Sequence, residues 1–320
     1  MKWYLRTYFR SSEDLGTAAM FCDRARLGAF AASAAQVQRG EGRALFKILV
    51  TAAMFQRRQD LQIMRILRGI APRDAHELTS QRHLLMLVDK GVCPHARSNV
   101  GLSLHCDLLK ENGQGGCTAN PKAACHLKRH TVLLKRYGDF GKMPTSAALL
   151  CREAGVKDLG ALRTQVLSEV SDPYERAQRL EREISRVWRI ERKLAAFFLS
   201  AVCNPDLSGE LTPWSDGVEW AEFVVIDSNV DRFLRRIGYH GGSDYDARRA
   251  FVMELARRID LRRLDERLHR FNPRIVQQAM YLFMSITNRR AVERDCATQA
   301  PGGCRQCPSQ LRWHCPTQVA

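Results

Sequence analysis

The segment RALFKILVTAAMFQ, from Arg43 to Gln56, narrows the choice of fold more than any other stretch. Wound as a helix it is apolar on nearly every side, so one core-facing stripe cannot satisfy it and other elements must surround it. The rest of the chain supplies helices for that purpose. LQIMRILRGIAP is amphipathic and closes at Gly69 and Pro72. Asp172-Pro173-Tyr174-Glu175 gives an N-cap, a first-turn proline and a capping-box glutamate, and the helix it opens turns Leu180, Ile184 and Val187 inward. MPTSAALLCREAG and VKDLGALRTQVLSEV continue the helical period, and Ser243-Asp244 and Asn272-Pro273 open two more helices. Residues 1–40 read as helix with an Ala-rich middle, in which Cys22 is a small core residue. Period-two alternation is nearly absent, so the fold class is all-α, built from helices of about 10–16 residues.

Charge points to the partner. The net charge is +16 and the pI about 9.7, with arginine recurring along the helices, which favours a polyanion such as double-stranded DNA. No run approaches the roughly 20 apolar residues of a membrane span, so no membrane partner is expected. The start, MKWYLRTYFRSSEDLG, lacks the apolar core and cleavage site of a secretory signal. An intracellular, cytoplasmic, DNA-associated monomer is therefore expected, its eleven cysteines serving as thiols or metal ligands rather than disulfides.

Two regions concentrate those cysteines. Between Gly91 and Gly141, Cys93, Cys106, Cys117 and Cys125 alternate with His95, His105, His126 and His130 without any close CxxC pair. A bound metal and a loop-rich insertion with incidental thiols both fit. LKRHTVLLKRYGDFGK in the same region suits either a phosphate-contacting surface or a solvated helix face. The tail is more specific. Cys296, Cys304, Cys307 and Cys315 are separated by 7, 2 and 7 residues, and four thiolates at that spacing can close on tetrahedral zinc or on a [4Fe–4S] cluster. Trp313 offers the loop an apolar anchor.

From Val187 to Gly238 two helix starts deliver isolated charges. Lys193 heads the apolar RKLAAFFLSAV, and Asp227 follows FVVI and heads SNVDRFLRRIG. An amine and a carboxylate facing one cleft suit attack at a sugar carbon and stabilisation of the cation that develops there. Such an amine must be neutral, and Arg189 and Arg192, four and one positions before it, would lower its pKa. The plainer alternative makes Asp227 an N-cap and Lys193 a surface charge.

Taken together, these stretches resemble the helix-hairpin-helix DNA glycosylase superfamily, in the endonuclease III branch that ends in a [4Fe–4S] loop. FVVIDSNVDRFLRRIG is similar to that family's V-D-T-H-V-x-R-V-x-x-R-L-G, which matches Asp227 to its catalytic aspartate. RIERKLAAFFL is similar to G-V-G-R-K-T-A-N-V-V-L, which matches Lys193 to its catalytic lysine. ALFKILVTAAMFQRRQD resembles the early helix that places a residue in the DNA stack, here Gln56, with Arg57 and Arg58 beside it on the DNA-binding surface. Arg189 and Arg192 belong to the same surface.

Three departures stand out, one being that the tail cysteine gaps of 7, 2 and 7 exceed the family's 6, 2 and 5. The family's glycine-bearing hairpin appears here as VWRIE, without a glycine, and Asp227 lies 34 positions after Lys193, about twice the family's interval. The resemblance implies a two-lobed fold: a helical barrel, and a second lobe joining the N-terminal helices to the cysteine tail, with the active cleft between them. The segments are 1–90 (N-terminal helices), 91–141 (insertion), 142–240 (barrel with Lys193 and Asp227) and 241–320 (C-terminal helices and cluster loop). It implies excision of a damaged or modified base by base flipping, with AP-lyase activity if Lys193 is the nucleophile. The tail would hold a [4Fe–4S] cluster, zinc being the alternative. A non-catalytic DNA-binding protein with a redox-sensitive cluster is the other function that fits. The 91–141 insertion and the long 203–222 connection suggest an atypical substrate, with hypermodified foreign DNA alongside ordinary damage.

Overall fold

Helix after helix packs around the apolar segment just described. The computed structural model describes residues 16–91, 93–108, 125–136, 138–285 and 308–315, and among these residues there are helices and turns but no strand. The described helices of eight residues or more are, in chain order, α1 Gly42–Ala53, α2 Asp60–Arg68, α3 Pro72–Thr79, α4 Gln81–Lys90, α5 His126–Leu133 and α6 Lys142–Glu153. They continue as α7 Leu159–Glu169, α8 Pro173–Ile184, α9 Arg192–Cys203, α10 Ser228–Arg236, α11 Tyr245–Arg257 and α12 Pro273–Met284. No described helix is long and apolar enough to cross a membrane.

The chain divides into two compact units, residues 15–220 and residues 221–320, and the boundary falls inside the 142–240 segment. In the first unit α1 is central, as its sequence demands. It packs against α3, α6, α7 and α9, and every residue from Ala44 to Ala53 is buried except Lys47, which is half-buried. α8 lies between α7 and α9, held by the buried Leu180 and Ile184. Its start follows the sequence signal: the Asp172 carboxylate accepts the Glu175 amide at 2.8 Å, and Pro173 occupies the first turn. The connection after α9 is pinned by Trp214, which is buried and sits edge-to-face on Phe198 at 5.9 Å.

The Ala-rich N-terminal region differs from expectation. Its described part is not one helix but three short ones, Ala18–Cys22, Arg24–Leu27 and Ala34–Gln38. Asp23 ends the first and caps the second by accepting the Ala25 amide at 2.8 Å. Gly28 then turns the chain at φ +59°, where a Cβ would stand 3.0 Å from the Arg68 Cα at the end of α2. That close backbone approach, not helix propensity, sets the path. Residues 1–15 lie outside the described residues.

Within the 91–141 insertion α5 is clamped to α3 by charge. Arg129 reaches Glu77 at 3.0 Å and Asp74 at 2.8 Å, and the fully buried His130 places Nε2 3.2 Å from Glu77 Oε1. The contact with His130, then those with Arg129, hold the Glu77 carboxyl down at about 2. A carboxyl lowered in the folded state adds stability above its unfolded pKa and loses it as the pH falls through the folded one. Stability should therefore decline between about pH 4.5 and about pH 2. Glu77→Gln keeps an acceptor for His130 but not the charge. Melting curves of this variant should start lower at pH 7 and flatten across that window; a parent-like acid slope would remove Glu77 as its source.

The second unit is built on α10, α11 and α12. α12 packs against both other helices, and Phe233 meets Phe283 edge-to-face at 5.8 Å. α11 and α12 open on the caps that the sequence announces, Asp244 and Asn272. A short tail helix, Ser309–His314, is tied to α10 where Arg236 donates to the carbonyls of His314 at 3.1 Å and Cys315 at 3.3 Å. Trp313 is not the anchor expected from the sequence. It is 82% exposed, and the Arg236 contacts to the His314 and Cys315 carbonyls tie the segment to α10 instead.

Candidate nucleic-acid interface

Three turns of the first unit share one unusual property. Among the described residues, the non-glycine positions with left-handed backbone are Arg57 (φ +58°), Lys135 (φ +50°) and Arg189 (φ +64°), and all three are cations. Each costs about 1–2 kcal/mol against a right-handed or extended residue. Arg57 follows α1, Lys135 follows α5, and Arg189 lies in the turn between α8 and α9.

The three turns are laced together through Gln56. Its side-chain amide donates to the Ala53 carbonyl at 2.8 Å and to the Arg189 carbonyl at 3.2 Å. Its own backbone carbonyl accepts from Arg136 at 2.7 Å, and Arg58 donates to the Lys135 carbonyl at 2.9 Å. Below them Arg189 pairs with the buried Asp139, whose carbonyl accepts the Trp188 indole N–H at 2.9 Å. The Arg136 guanidinium stacks 4.4 Å from the Phe140 ring. Cross-links between turns from three parts of the sequence hold these strained backbones in place. Arg57 itself is exposed and has no side-chain partner among the described residues.

The segment VWRIE, which has no glycine, nonetheless makes a left-handed turn at Arg189. Gln56 is folded back on two carbonyls, so filling a vacated stack would require it to leave both. Arg192 pairs with the buried Glu181 at 2.6 Å. Arg189 and Arg192 are thus each compensated by a buried carboxylate, and neither stands as the free cation expected beside Lys193. Lys193, at the second position of α9, is half-buried and makes no ion pair or hydrogen bond among the described residues.

Asp227 lies in the other unit and caps α10. Its Oδ1 accepts the amides of Asn229 at 3.0 Å and Val230 at 2.9 Å. Of the tail cysteines only Cys315 is described; Cys296, Cys304 and Cys307 lie outside the described residues, as does Cys117 of the insertion. Among the described residues no group of three or more His, Cys, Asp or Glu side chains is placed so that it could hold a metal ion.

The first unit also carries a feature not singled out in the sequence. A groove of about 1190 Å³ beside α1 is lined by Arg24, Arg43, Lys47, Arg82, Lys90 and Lys157 against two carboxylates. Of these, Asp89 is taken up by Arg152 at 2.9 Å and Asp158 caps α7. Burial, then the Arg24 charge, lowers the Lys47 ammonium, so a positive field meets a partly desolvated wall. The clue was available: Lys47 is the lone charge inside FKILVTAAMF. The chain matches no protein-family model, no curated protein and no solved structure.

Arg57 offers a direct test of this surface. Arg57→Gly relieves the left-handed strain at the expense of a freer unfolded chain, so the melting temperature should hold or rise slightly. Affinity for duplex DNA should fall, and the salt dependence of binding should lose about one counterion. Unchanged affinity and slope would take Arg57 out of the interface.

Proposed function

We propose that this chain is a DNA glycosylase that turns a damaged or modified base out of duplex DNA and breaks its bond to the sugar. The observation that carries the reading is the tight turn from α8 into α9, with Arg189 left-handed where the resembling family has glycine and Lys193 directly after it. A left-handed turn exposes backbone amides to an approaching phosphate. The net charge of +16 supplies the attraction. Asp227 stabilises the developing sugar cation, and the unpaired Lys193 is the candidate nucleophile for a Schiff base. The cap geometry of Asp227 favours a second reading, a DNA-binding protein without catalysis.

Base release from duplex oligonucleotides carrying single modified bases separates the two. Release of at least one base supports the glycosylase; tight binding without release across a broad panel sinks it. The tail enters as a further proposal. Four thiolates at its spacing suit a [4Fe–4S] cluster, so anaerobically purified protein should be brown, with about four irons per chain. Colourless protein with stoichiometric zinc would overturn the cluster.

A further inference from the structure

The groove beside α1 has no part in the proposed reaction, yet it gathers charge that nothing in the first unit balances. Arg43 and Lys47 lie one turn apart on α1, and α4 presents Arg82, Leu85, Met86 and Lys90 along one stripe at helical spacing. Arg24, Lys157 and a wall of Ala29, Ala31 and Ala32 line the same space. Its six cations outnumber its carboxylates by four, and both carboxylates are engaged. Asp89 accepts from Arg152 through both oxygens at 2.9 Å, and Asp158 Oδ1 accepts the Ala161 amide at 2.9 Å.

Among the cations Arg43 shares Glu41 at 3.2 Å. Arg24, Lys47, Arg82, Lys90 and Lys157 make no ion pair or side-chain hydrogen bond among the described residues. Lys47 is half-buried with Arg24 near enough to repel it, and burial, then that charge, holds its ammonium below the usual lysine range. Unpaired cations crowded around a recess cost free energy that a bound anion would offset.

The lining and size of the groove select among anions. Among the described residues no aromatic side chain lines it, so it lacks the stacking platform that single-stranded nucleic acid uses. At about 1190 Å³ it is comparable to the larger small-molecule sites. The two ends of α1 are about 18 Å apart, which keeps Arg43 away from Gln56 and Arg57 beyond the other end.

We infer that this groove binds a small organic polyphosphate, the chemistry of a nucleoside triphosphate. Its phosphates meet Arg24, Arg43 and Lys47, and its less polar part lies on Leu85 and Met86. Arg82 and Lys90 stand on either side of that pair, about 12 Å apart along α4. Guanidinium forks suit phosphate oxygens, and a partly desolvated ammonium attracts an anion more strongly than one in water. The site lies beyond the proposed base excision and needs neither Lys193 nor Asp227.

The test is calorimetric titration of the full chain with ATP. One ATP per chain should bind saturably, with affinity falling as salt rises. Inorganic tripolyphosphate, which has the phosphates but neither base nor sugar, should bind about tenfold more weakly. Lys47→Met keeps an apolar stem in the half-buried position and removes the charge. It should weaken ATP binding about 10–100-fold while the melting temperature holds or rises. Should that variant fail to fold, Arg24→Gln, at an exposed position, should weaken ATP binding about tenfold. Arg57→Gly should leave ATP binding unchanged, and saturating duplex DNA should not displace ATP. No saturable binding of ATP or tripolyphosphate, or binding indifferent to both Lys47→Met and Arg24→Gln, would overturn the site. ATP displaced by duplex DNA would overturn the small ligand and make the groove part of a DNA contact. Equal affinity for ATP and tripolyphosphate would overturn the organic part of the ligand.

Discussion

Replacing Asp227 with asparagine is expected to abolish base release while leaving the melting temperature almost unchanged. Asp227 caps α10 through Oδ1, which accepts the Asn229 and Val230 amides, while Oδ2 accepts only the Asn229 side-chain amide at 3.4 Å. An asparagine carbonyl can accept both, and asparagine caps helices about as well as aspartate. What disappears is the negative charge, together with the long 3.4 Å contact from the Asn229 side chain. In the proposed reaction positive charge builds on the sugar as the base departs, and losing one preorganised electrostatic group costs about 10²–10³ in rate. Asp227→Ala serves as the control, since it loses the cap as well and should cost about 1 kcal/mol of stability. Parent-like excision by the asparagine variant would reduce Asp227 to a cap and favour the DNA-binding reading.

Lys193→Gln carries the second large effect. If Lys193 is the nucleophile, borohydride should trap a covalent protein–DNA adduct with the parent and none with this variant. Lys193 makes no ion pair or hydrogen bond among the described residues, so its replacement should cost no more than about 0.5 kcal/mol of stability. The loss of trapping would then belong to the amine and not to a damaged fold. Base release that survives the substitution, with no adduct from either protein, would make the enzyme monofunctional, with water as nucleophile and Asp227 directing it.

Signals that act over three or four residues were legible in the sequence. Asp172, Asp244 and Asn272 cap the helices they precede because a side-chain oxygen needs only the amides two or three positions ahead. The apolar run of α1 required a central position whatever its neighbours, since no single face of it could be left to solvent. The all-helical class followed from that periodicity, and Lys193 and Asp227 were visible as isolated charges at helix starts.

Properties that depend on distant partners were not legible. Lys135 is left-handed through a local helix-ending turn, its amide and that of Arg136 donating to the Val132 and Thr131 carbonyls. But the turns of Arg57, Lys135 and Arg189 are joined by Gln56, Arg58 and Arg136, which bond across 77 to 133 residues of sequence. Gly28 turns left-handed where the backbone of Arg68, 40 residues on in sequence, comes within 3.0 Å of a Cβ position. Lys142 reads as a surface charge until Leu102, Cys106 and Trp188 close over it, and Cys93, Cys106 and Cys125, separated by 12 and 18 residues, come together only by packing on one core. Capping and amphipathicity are written in neighbouring residues, so the sequence alone determined the helices and the charges at their starts. The joining of strained turns, burial of charge and convergence of side chains arise from contacts between remote segments, and these only the tertiary structure decided.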